Sequence, residues 1–374
     1  MGLTGGAASV KGYLRKNPTP IRAAMEPSQQ TANQPKEPGM PNSGEETRAG
    51  TDGRGRRTCR RTRWIVPLAV LAALAAVWAC HLWLPRKAKR VDGRLRVAAC
   101  QYDSRPGEYR WNVDHALRYA EEAADAGAGV IILPEYSFCT VADTVEGRAF
   151  FEIRHAMRWL KPRLGRFCRR HRCYLIVNIP FEPRGTDPLQ PWRRNRTLVF
   201  DPRGRVVATY DKRFAAALDV FCHVGEGEVQ PPVELDFGRV GLMICKDTSF
   251  LKRFGNYQGV DLITGQFGHI TDWTKSENDP LWLSNDMDTA DEDFPEIGQE
   301  LGARFQCPAV FANKTGLEPV GVYTGGSCAV APDGGIVARA GFGGGILYVD
   351  FELDENGRIR RGAAPIPVDE PSDS

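Results

Sequence analysis

From Leu95 onward the chain alternates short β-branched apolar runs with stretches of helical periodicity, and this alternation confines it to an α/β fold. Leu95-Arg-Val-Ala-Ala-Cys-Gln101 reads as a strand. The segment from Trp111 to Ala126 then places Val113, Ala116, Leu117, Ala120 and Ala124 on one helical face, and Gly127 supplies a stop. Further strands are expected at Gly129 to Leu133, at Tyr174 to Ile179, on both sides of the turn Asp201-Pro-Arg-Gly204, and at Arg239 to Cys245. Others follow at Asp261 to Thr264, Ala309 to Asn313, Ser327 to Ala331, Gly335 to Ala340 and Ile346 to Phe351. Helices are expected from about Ala149 to His171, briefly after Cys245, and near Pro295 to Phe305.

The chain before Leu95 is of another kind. Residues 1–63 are rich in Gly, Pro, Gln, Asn and Arg without apolar periodicity, and such a segment cannot bury enough surface to offset its chain entropy. They read as a disordered basic tail, within which Met25 and Met40 are alternative starts. From Trp64 to Leu84 run 21 residues without a formal charge, long enough to cross a bilayer as a helix, with Trp64, Trp78 and Trp83 suited to its interfaces. Six arginines precede it between Arg54 and Arg63, and Arg86, Lys87, Lys89 and Arg90 follow. That balance favours a single-pass anchor with a cytoplasmic tail and an extracytoplasmic catalytic domain. The rival readings are a cleaved signal, a lipoprotein signal ending at Cys80, which the bulky Trp78 disfavours, and a buried core helix.

Charge and cysteine usage exclude other classes. The net charge of +3 is small and much of the basic excess flanks the apolar run, so the chain carries no nucleic-acid footprint. The ten cysteines include no Cys-x-x-Cys pair, which disfavours structural zinc, and several lie in apolar strand-like runs where a buried free thiol is the common state. Between Gln266 and Arg304 lies an irregular insertion rich in Asp and Glu that carries Trp273 and Trp282. It reads either as a solvated surface loop or as a lid over a site. The folded domain is expected over 95–353, with 354–374 as a C-terminal tail.

Three polar residues stand at the ends of apolar strands: Glu135 in Ile-Ile-Leu-Pro-Glu, Lys212 in Thr-Tyr-Asp-Lys-Arg-Phe, and Cys245 in Leu-Met-Ile-Cys-Lys-Asp. In an α/β sheet such ends line a common edge, where sites are built. A carboxylate there can deprotonate a thiol, and an ammonium can hold first the thiolate and then a developing oxyanion. Taken singly each has a plain explanation: a buried small hydrophobe for Cys245, a turn for Glu135, a solvated charge for Lys212. Their joint pattern and order point to a nucleophile, a base and an electrostatic stabiliser.

In these residues the chain resembles the nitrilase superfamily of carbon–nitrogen hydrolases, whose catalytic Glu, Lys and Cys occur in this order and in these contexts. The resemblance covers roughly Leu95 to Leu353. Its pieces include Val-Ala-Ala-Cys-Gln101, Gly-Val-Ile-Ile-Leu-Pro-Glu135, Asn195-Arg-Thr-Leu-Val-Phe-Asp-Pro-Arg-Gly204 and Tyr210-Asp-Lys212. It continues through Gly241-Leu-Met-Ile-Cys245-Lys-Asp247, Phe311-Ala-Asn-Lys-Thr-Gly316, Gly326-Ser327 and Pro332-Asp-Gly334. The resemblance implies a four-layer α-β-β-α sandwich, with Glu135 as general base and acid, Lys212 stabilising the tetrahedral intermediate, and Cys245 forming a thioester or thioimidate. The backbone N–H of Lys246 would add to the oxyanion hole. No metal or organic cofactor is implied.

Two departures stand out. The family often places a second Glu eight residues after the Lys, where this chain has Val220, with Asp219 one step before it as a substitute. The family commonly has an aromatic after the nucleophile, and this chain has Lys246, whose charge could lower the thiol pKa or point away. Asp247 is expected to orient the nucleophile turn, and Asn313 and Ser327 to act as scaffold. The leading expectation is hydrolysis of a linear amide or carbamoyl compound, with a nitrile as a lesser alternative, so the expected partners are a small-molecule amide or acyl substrate and the membrane through residues 64–84, with a homodimer left open. The rivals are an acyltransferase related to apolipoprotein N-acyltransferase, suggested by the anchor, and a catalytically silent membrane scaffold.

Overall fold

The computed structural model describes residues 70–74, 86–183, 193–222, 224–271 and 290–368. Residues 70–74 are a short helical stretch in a unit ending at Ala76, and everything else described belongs to the unit Val77–Ser374. The expected tail over 1–63, and all of the apolar run over 64–84 except 70–74, fall outside the described residues. No helix among the described residues is long and apolar enough to cross a membrane.

Two sheets form the core of the second unit. The strands β1 (Leu95–Gln101), β2 (Val130–Ile132), β3 (Tyr174–Phe181), β4 (Arg194–Phe200), β5 (Val206–Asp211), β15 (Gly345–Phe351) and β16 (Ile366–Val368) make a seven-stranded sheet in the order β16-β15-β1-β2-β3-β4-β5. A six-stranded sheet runs β14-β13-β10-β8-β7-β6, built from β6 (Val233–Leu235), β7 (Gly238–Ile244), β8 (Leu262–Phe267), β10 (Ala309–Asn313), β13 (Cys328–Val330) and β14 (Ile336–Arg339). A small third sheet joins β11 (Thr315–Glu318), β12 (Gly321–Thr324) and β9 (Ile270–Thr271).

Alternation along β1 explains the layering. Leu95, Val97 and Ala99 enter one cluster with Val240, Leu242 and Phe311 of the second sheet, whereas Ala98 and Cys100 turn to the opposite face. There they meet helices α1 (Tyr109–Asp125) and α3 (Arg148–His171) through Val113, Ala116, Ile153 and Leu160. All five residues expected on the apolar face of α1 are buried, and Gly127 ends the helix region at φ 93°, a conformation open to Gly at little cost. On the far side of the second sheet lie two 3₁₀ stretches (Cys245–Arg253 and Gly255–Tyr257) and helix α5 (Ala290–Phe305), which buries Leu301 and Phe305. The layers therefore run helix, sheet, sheet, helix.

Several sequence expectations need correction. The strand expected to end at Cys245 ends at Ile244, and Cys245 opens the 3₁₀ stretch instead. The segment expected as irregular from Gln266 to Arg304 begins inside β8, continues into β9, and is helical from Ala290, where Gly298 and Gly302 of α5 allow the helix to approach the 333–334 turn closely. Trp273 and Trp282 fall outside the described residues. The chain after Leu353 is not a tail as far as Val368: β16 pairs with β15, and Arg358 and Arg361 hold the buried carboxylate of Asp261. Two short helices, α2 (Val141–Val145) and α4 (Ala217–Phe221), join these elements without a periodic signal in the sequence.

Candidate active site

Glu135 follows β2, Lys212 follows β5 and Cys245 follows β7, so the three expected residues come from strand ends of both sheets. The structure brings them together. Lys212 Nζ stands 3.0 Å from Glu135 Oε1 and 2.7 Å from Asp219 Oδ2, and all three side chains are buried. Burial opposes the Lys212 charge, but the carboxylates of Asp219 and Glu135 hold its pKa well above the usual lysine value.

The thiol sits on a turn with φ 40°, in the left-handed region that a non-glycine residue enters only when its surroundings hold it there. Cys245 as a residue is partly exposed, yet its sulfur lies deep enough that burial, together with the Glu135 charge, pushes the thiol up to about 12, against the pull of Lys212. The thiol is therefore protonated at neutral pH and requires a base. The backbone amide of Gly268, just beyond β8, pulls the thiol pKa the other way.

The turn is held by Asp247, which accepts from Tyr210 Oη at 2.7 Å, Ile244 N at 2.9 Å, and the backbone amides of Arg213 and Phe214 at 3.0 Å each. This is the orienting role expected of it, and it ties the nucleophile turn to the segment after Lys212. Lys246 directs its ammonium toward Phe250, 6.0 Å from the ring centroid. Val220 is 64% exposed, while Asp219 is buried against Lys212, so the position one residue earlier supplies the second carboxylate.

A polar network behind the site was not recognised from sequence. Asn195 Nδ2 donates to Glu135 Oε1 at 2.6 Å, Asn178 Nδ2 donates to Asn195 Oδ1 at 2.7 Å, and Tyr136 N donates to Asn178 Oδ1 at 2.7 Å. Tyr136 Oη donates to Asp219 Oδ1 at 3.1 Å and closes the ring of contacts. In the sequence Asn195 stands out only as the first residue of its motif. Asn313 and Ser327 act as the expected scaffold: Asn313 Oδ1 accepts from His269 N, and Ser327 Oγ accepts from Asn313 N. A separate cavity of about 800 Å³ beside α5, lined by Asp261, Cys307 and Arg361 among others, includes none of the three expected catalytic residues in its lining.

The arrangement offers a protonated thiol, a carboxylate within reach of an ammonium, and a second carboxylate to hold that ammonium. It suits acyl transfer through a covalent sulfur intermediate.

Comparison with known proteins agrees at the level of fold and family. An amidase from Nesterenkonia sp. is 23% identical, aligns over 71% of this chain and 94% of its own, and superposes with a TM-score of 0.55. A glutamate-to-glutamine variant of that amidase from strain AN1, carrying the acetamide moiety of fluoroacetamide on its active-site cysteine, is 24% identical over 72% of this chain and 94% of its own, with a TM-score of 0.55. A cysteine-to-alanine variant in complex with butyramide is 23% identical over the same shares, again with a TM-score of 0.55. At these identities the likeness establishes a nitrilase-like fold. No curated protein was found to match. The carbon–nitrogen hydrolase family model matches residues 96–361, most of the chain, and the protein belongs to that family.

Proposed function

We propose that the protein is an amidase-type hydrolase that cleaves a linear amide or a carbamoyl compound, with a nitrile as the lesser alternative, through a thioester on Cys245. The observation that carries this reading is the Lys212 ammonium held between the buried carboxylates of Glu135 and Asp219 beside a buried, protonated thiol.

Glu135 takes the thiol proton as sulfur attacks the carbonyl carbon, and the carbonyl π pair moves onto oxygen. The Lys212 ammonium and the Lys246 backbone N–H stabilise that oxyanion. On collapse the C–N bond breaks and the leaving nitrogen takes the proton from Glu135, departing as ammonia or an amine. Glu135 then removes a proton from water, the water oxygen attacks the thioester, and the C–S bond breaks as the thiolate recovers its proton. The overall exchange is amide plus water for carboxylic acid plus amine, and Cys245 is regenerated.

The full chain, incubated with a panel of small amides and carbamoyl compounds, should release ammonia, and Cys245→Ala should not. Ammonia release by Cys245→Ala at the parental rate, or no release by the parent on any member, overturns the reading. We further propose that residues 64–84 tether the enzyme to a membrane with the catalytic domain on the extracytoplasmic side; the uncharged run and its flanking basic residues support this. Alkaline carbonate should leave the protein in the membrane pellet, and its appearance in the supernatant would refute the tether.

A further inference from the structure

Helix α3 carries a charge imbalance that the mechanism does not use. Its 24 residues hold seven Arg and one Lys against a single Glu, whereas the whole chain has a net charge of only +3. Between Phe151 and Arg170 the exposed side chains include Arg154, Arg158, Lys161, Arg166, Arg169 and Arg170, and no carboxylate. Arg154 and Arg158, and Arg166 and Arg170, stand four positions apart, so like charges face each other along the helix, which is unfavourable in water.

Neighbouring carboxylates neutralise only part of this charge. Asp114 and Glu121 of α1 pair with Arg163 at 2.6 Å and Arg170 at 3.2 Å, and Glu182 pairs with Arg154 at 2.7 Å. Arg158, Lys161 and Arg166 make no ion pair among the described residues. The turn 201–204 extends the basic surface: a methyl group built on Gly165 would stand 2.5 Å from Gly204 O, so turn and helix touch, and the exposed Arg205 follows the turn. Two large rings stand among these cations, Phe151 at 53% exposure and Trp159 at 40%. A basic helix that exposes aromatic rings has the chemistry of an interfacial helix, with cations for lipid phosphates and rings for the boundary between headgroups and acyl chains.

The place of the helix in the chain points to the same occupant. Lys89 N donates to Arg172 O at 2.7 Å, so the chain enters the folded unit at the C-terminal end of α3. Lys89 follows Leu84, the last residue of the uncharged run, by five positions, which span at most about 18 Å when fully extended. A tether over 64–84 therefore holds that end of α3 within this reach of the bilayer.

We propose that the outer face of α3, through Arg158, Lys161, Arg166 and Trp159, docks on a bilayer containing anionic phospholipid and so orients the catalytic domain beside the membrane. The proposal rests on the tether reading for the nearness of the bilayer; the charge and the exposed rings stand without it.

The test mixes the full chain with an excess of vesicles, either phosphatidylcholine alone or phosphatidylcholine with about 30 mol% phosphatidylserine. Hydroxyl-radical footprinting with mass spectrometry reads the oxidation rate of Trp159, and Phe342, 75% exposed and outside the helix, is the internal reference. Trp159 oxidation should fall about fivefold with phosphatidylserine relative to phosphatidylcholine alone, with Phe342 unchanged, and the protection should vanish in about 0.5 M NaCl, where screening shortens the reach of the charges. Arg158→Glu, Lys161→Glu and Arg166→Glu combined in one chain should abolish the protection at low salt, with circular dichroism verifying the fold. If that variant does not fold, Arg158→Gln with Arg166→Gln takes its place and should lose at least about half of the protection. Equal Trp159 oxidation with the two vesicle types, or full protection in a folded charge variant, overturns the proposal. Stronger protection of Trp159 by a mixed-sequence DNA duplex without vesicles than by phosphatidylserine assigns the face to nucleic acid and also overturns it. Release of the chain by alkaline carbonate defeats the tether alone, since protection of Trp159 by phosphatidylserine is read whether or not a segment inserts.

Discussion

The ammonium of Lys212 lies 2.7 Å from Asp219 Oδ2, closer than the 3.0 Å that separates it from Glu135 Oε1. Both oxygens of Asp219 are fixed from its own side of the site, Oδ2 by the Ala216 amide at 2.8 Å and Oδ1 by Tyr136 Oη at 3.1 Å. Asp219 is therefore the nearer and more firmly held carboxylate partner of the ammonium, and in the proposed mechanism this leaves Glu135 to exchange a proton.

Replacing Asp219 should separate the two roles. Asp219→Asn leaves Lys212 with Glu135 as its remaining carboxylate partner, so the base is neutralised more strongly and the ammonium is less well aimed. We expect kcat to fall about tenfold to a hundredfold, in line with the loss of a well-placed oxyanion donor, and stability to fall by about 3 kcal/mol, as for other broken buried pairs. Steady-state kinetics and urea denaturation check both. Parental kcat in a folded variant would mean that Glu135 alone suffices to hold Lys212.

Glu135→Gln should make the thiol more reactive and the enzyme inert. Burial and the Glu135 charge push the Cys245 thiol up to about 12, so in the parent iodoacetamide alkylation should climb about tenfold per pH unit from pH 7 to 10 with no plateau. Removing the Glu135 charge removes the second of those causes, and alkylation at pH 8 should accelerate about tenfold. Hydrolysis should fall by at least about a hundredfold for want of a base. Slower alkylation in Glu135→Gln would show that the carboxylate draws the proton in the resting state.

What the sequence displays follows from range. Glu135, Lys212 and Cys245 are legible because each stands at the end of a strand-like run, and strand ends of a packed α/β sheet converge. Asn178 and Asn195 are ordinary polar residues within β3 and β4 until those strands pair antiparallel and bring them side by side. Nothing local marks them. The hairpin β11–β12 has four-residue strands interrupted by Gly316 and Gly321, β16 has three residues centred on Pro367, and α2 has five, all too short for a hydrophobic period to register. Their existence depends on long-range partners such as Glu318, which caps α2 from 177 positions away.

Asp247 offers a stability test with a defined pH dependence. Burial, opposed by the Tyr210 hydroxyl and the Ile244 and Phe214 amides, raises its carboxyl to about 6. A carboxyl raised from 3.8 binds more protons folded than unfolded between about pH 4 and 6, so its contribution is greatest below that window and declines as pH rises through it. Asp247→Asn has no such titration, and its NH₂ must face donors on one side or the other. We expect it to cost about 2 kcal/mol at pH 7 and more at pH 4. Denaturation midpoints measured across that range decide the point: a deficit that grows with pH would reverse the sign.

The chain beyond Leu353 should also be needed for stability, through Asp261. Its carboxylate is buried, yet hydrogen bonds from the Arg239 amide and from the Arg358 and Arg361 guanidiniums outweigh that burial and hold its pKa below the usual value. A depressed carboxyl contributes stability above its unfolded pKa and loses it as pH falls through the folded one. Arg358 and Arg361 are themselves 40% and 66% exposed, so screening limits each pair, and Arg358→Ala with Arg361→Ala should together cost about 1–2 kcal/mol at pH 7. That deficit should shrink toward zero as the pH is lowered below the carboxylate range, because the parent then loses the same interactions. Thermal unfolding of the double variant at pH 7 and at acid pH measures the difference, and a deficit independent of pH would assign the loss to packing of the arginine stems rather than to their charge.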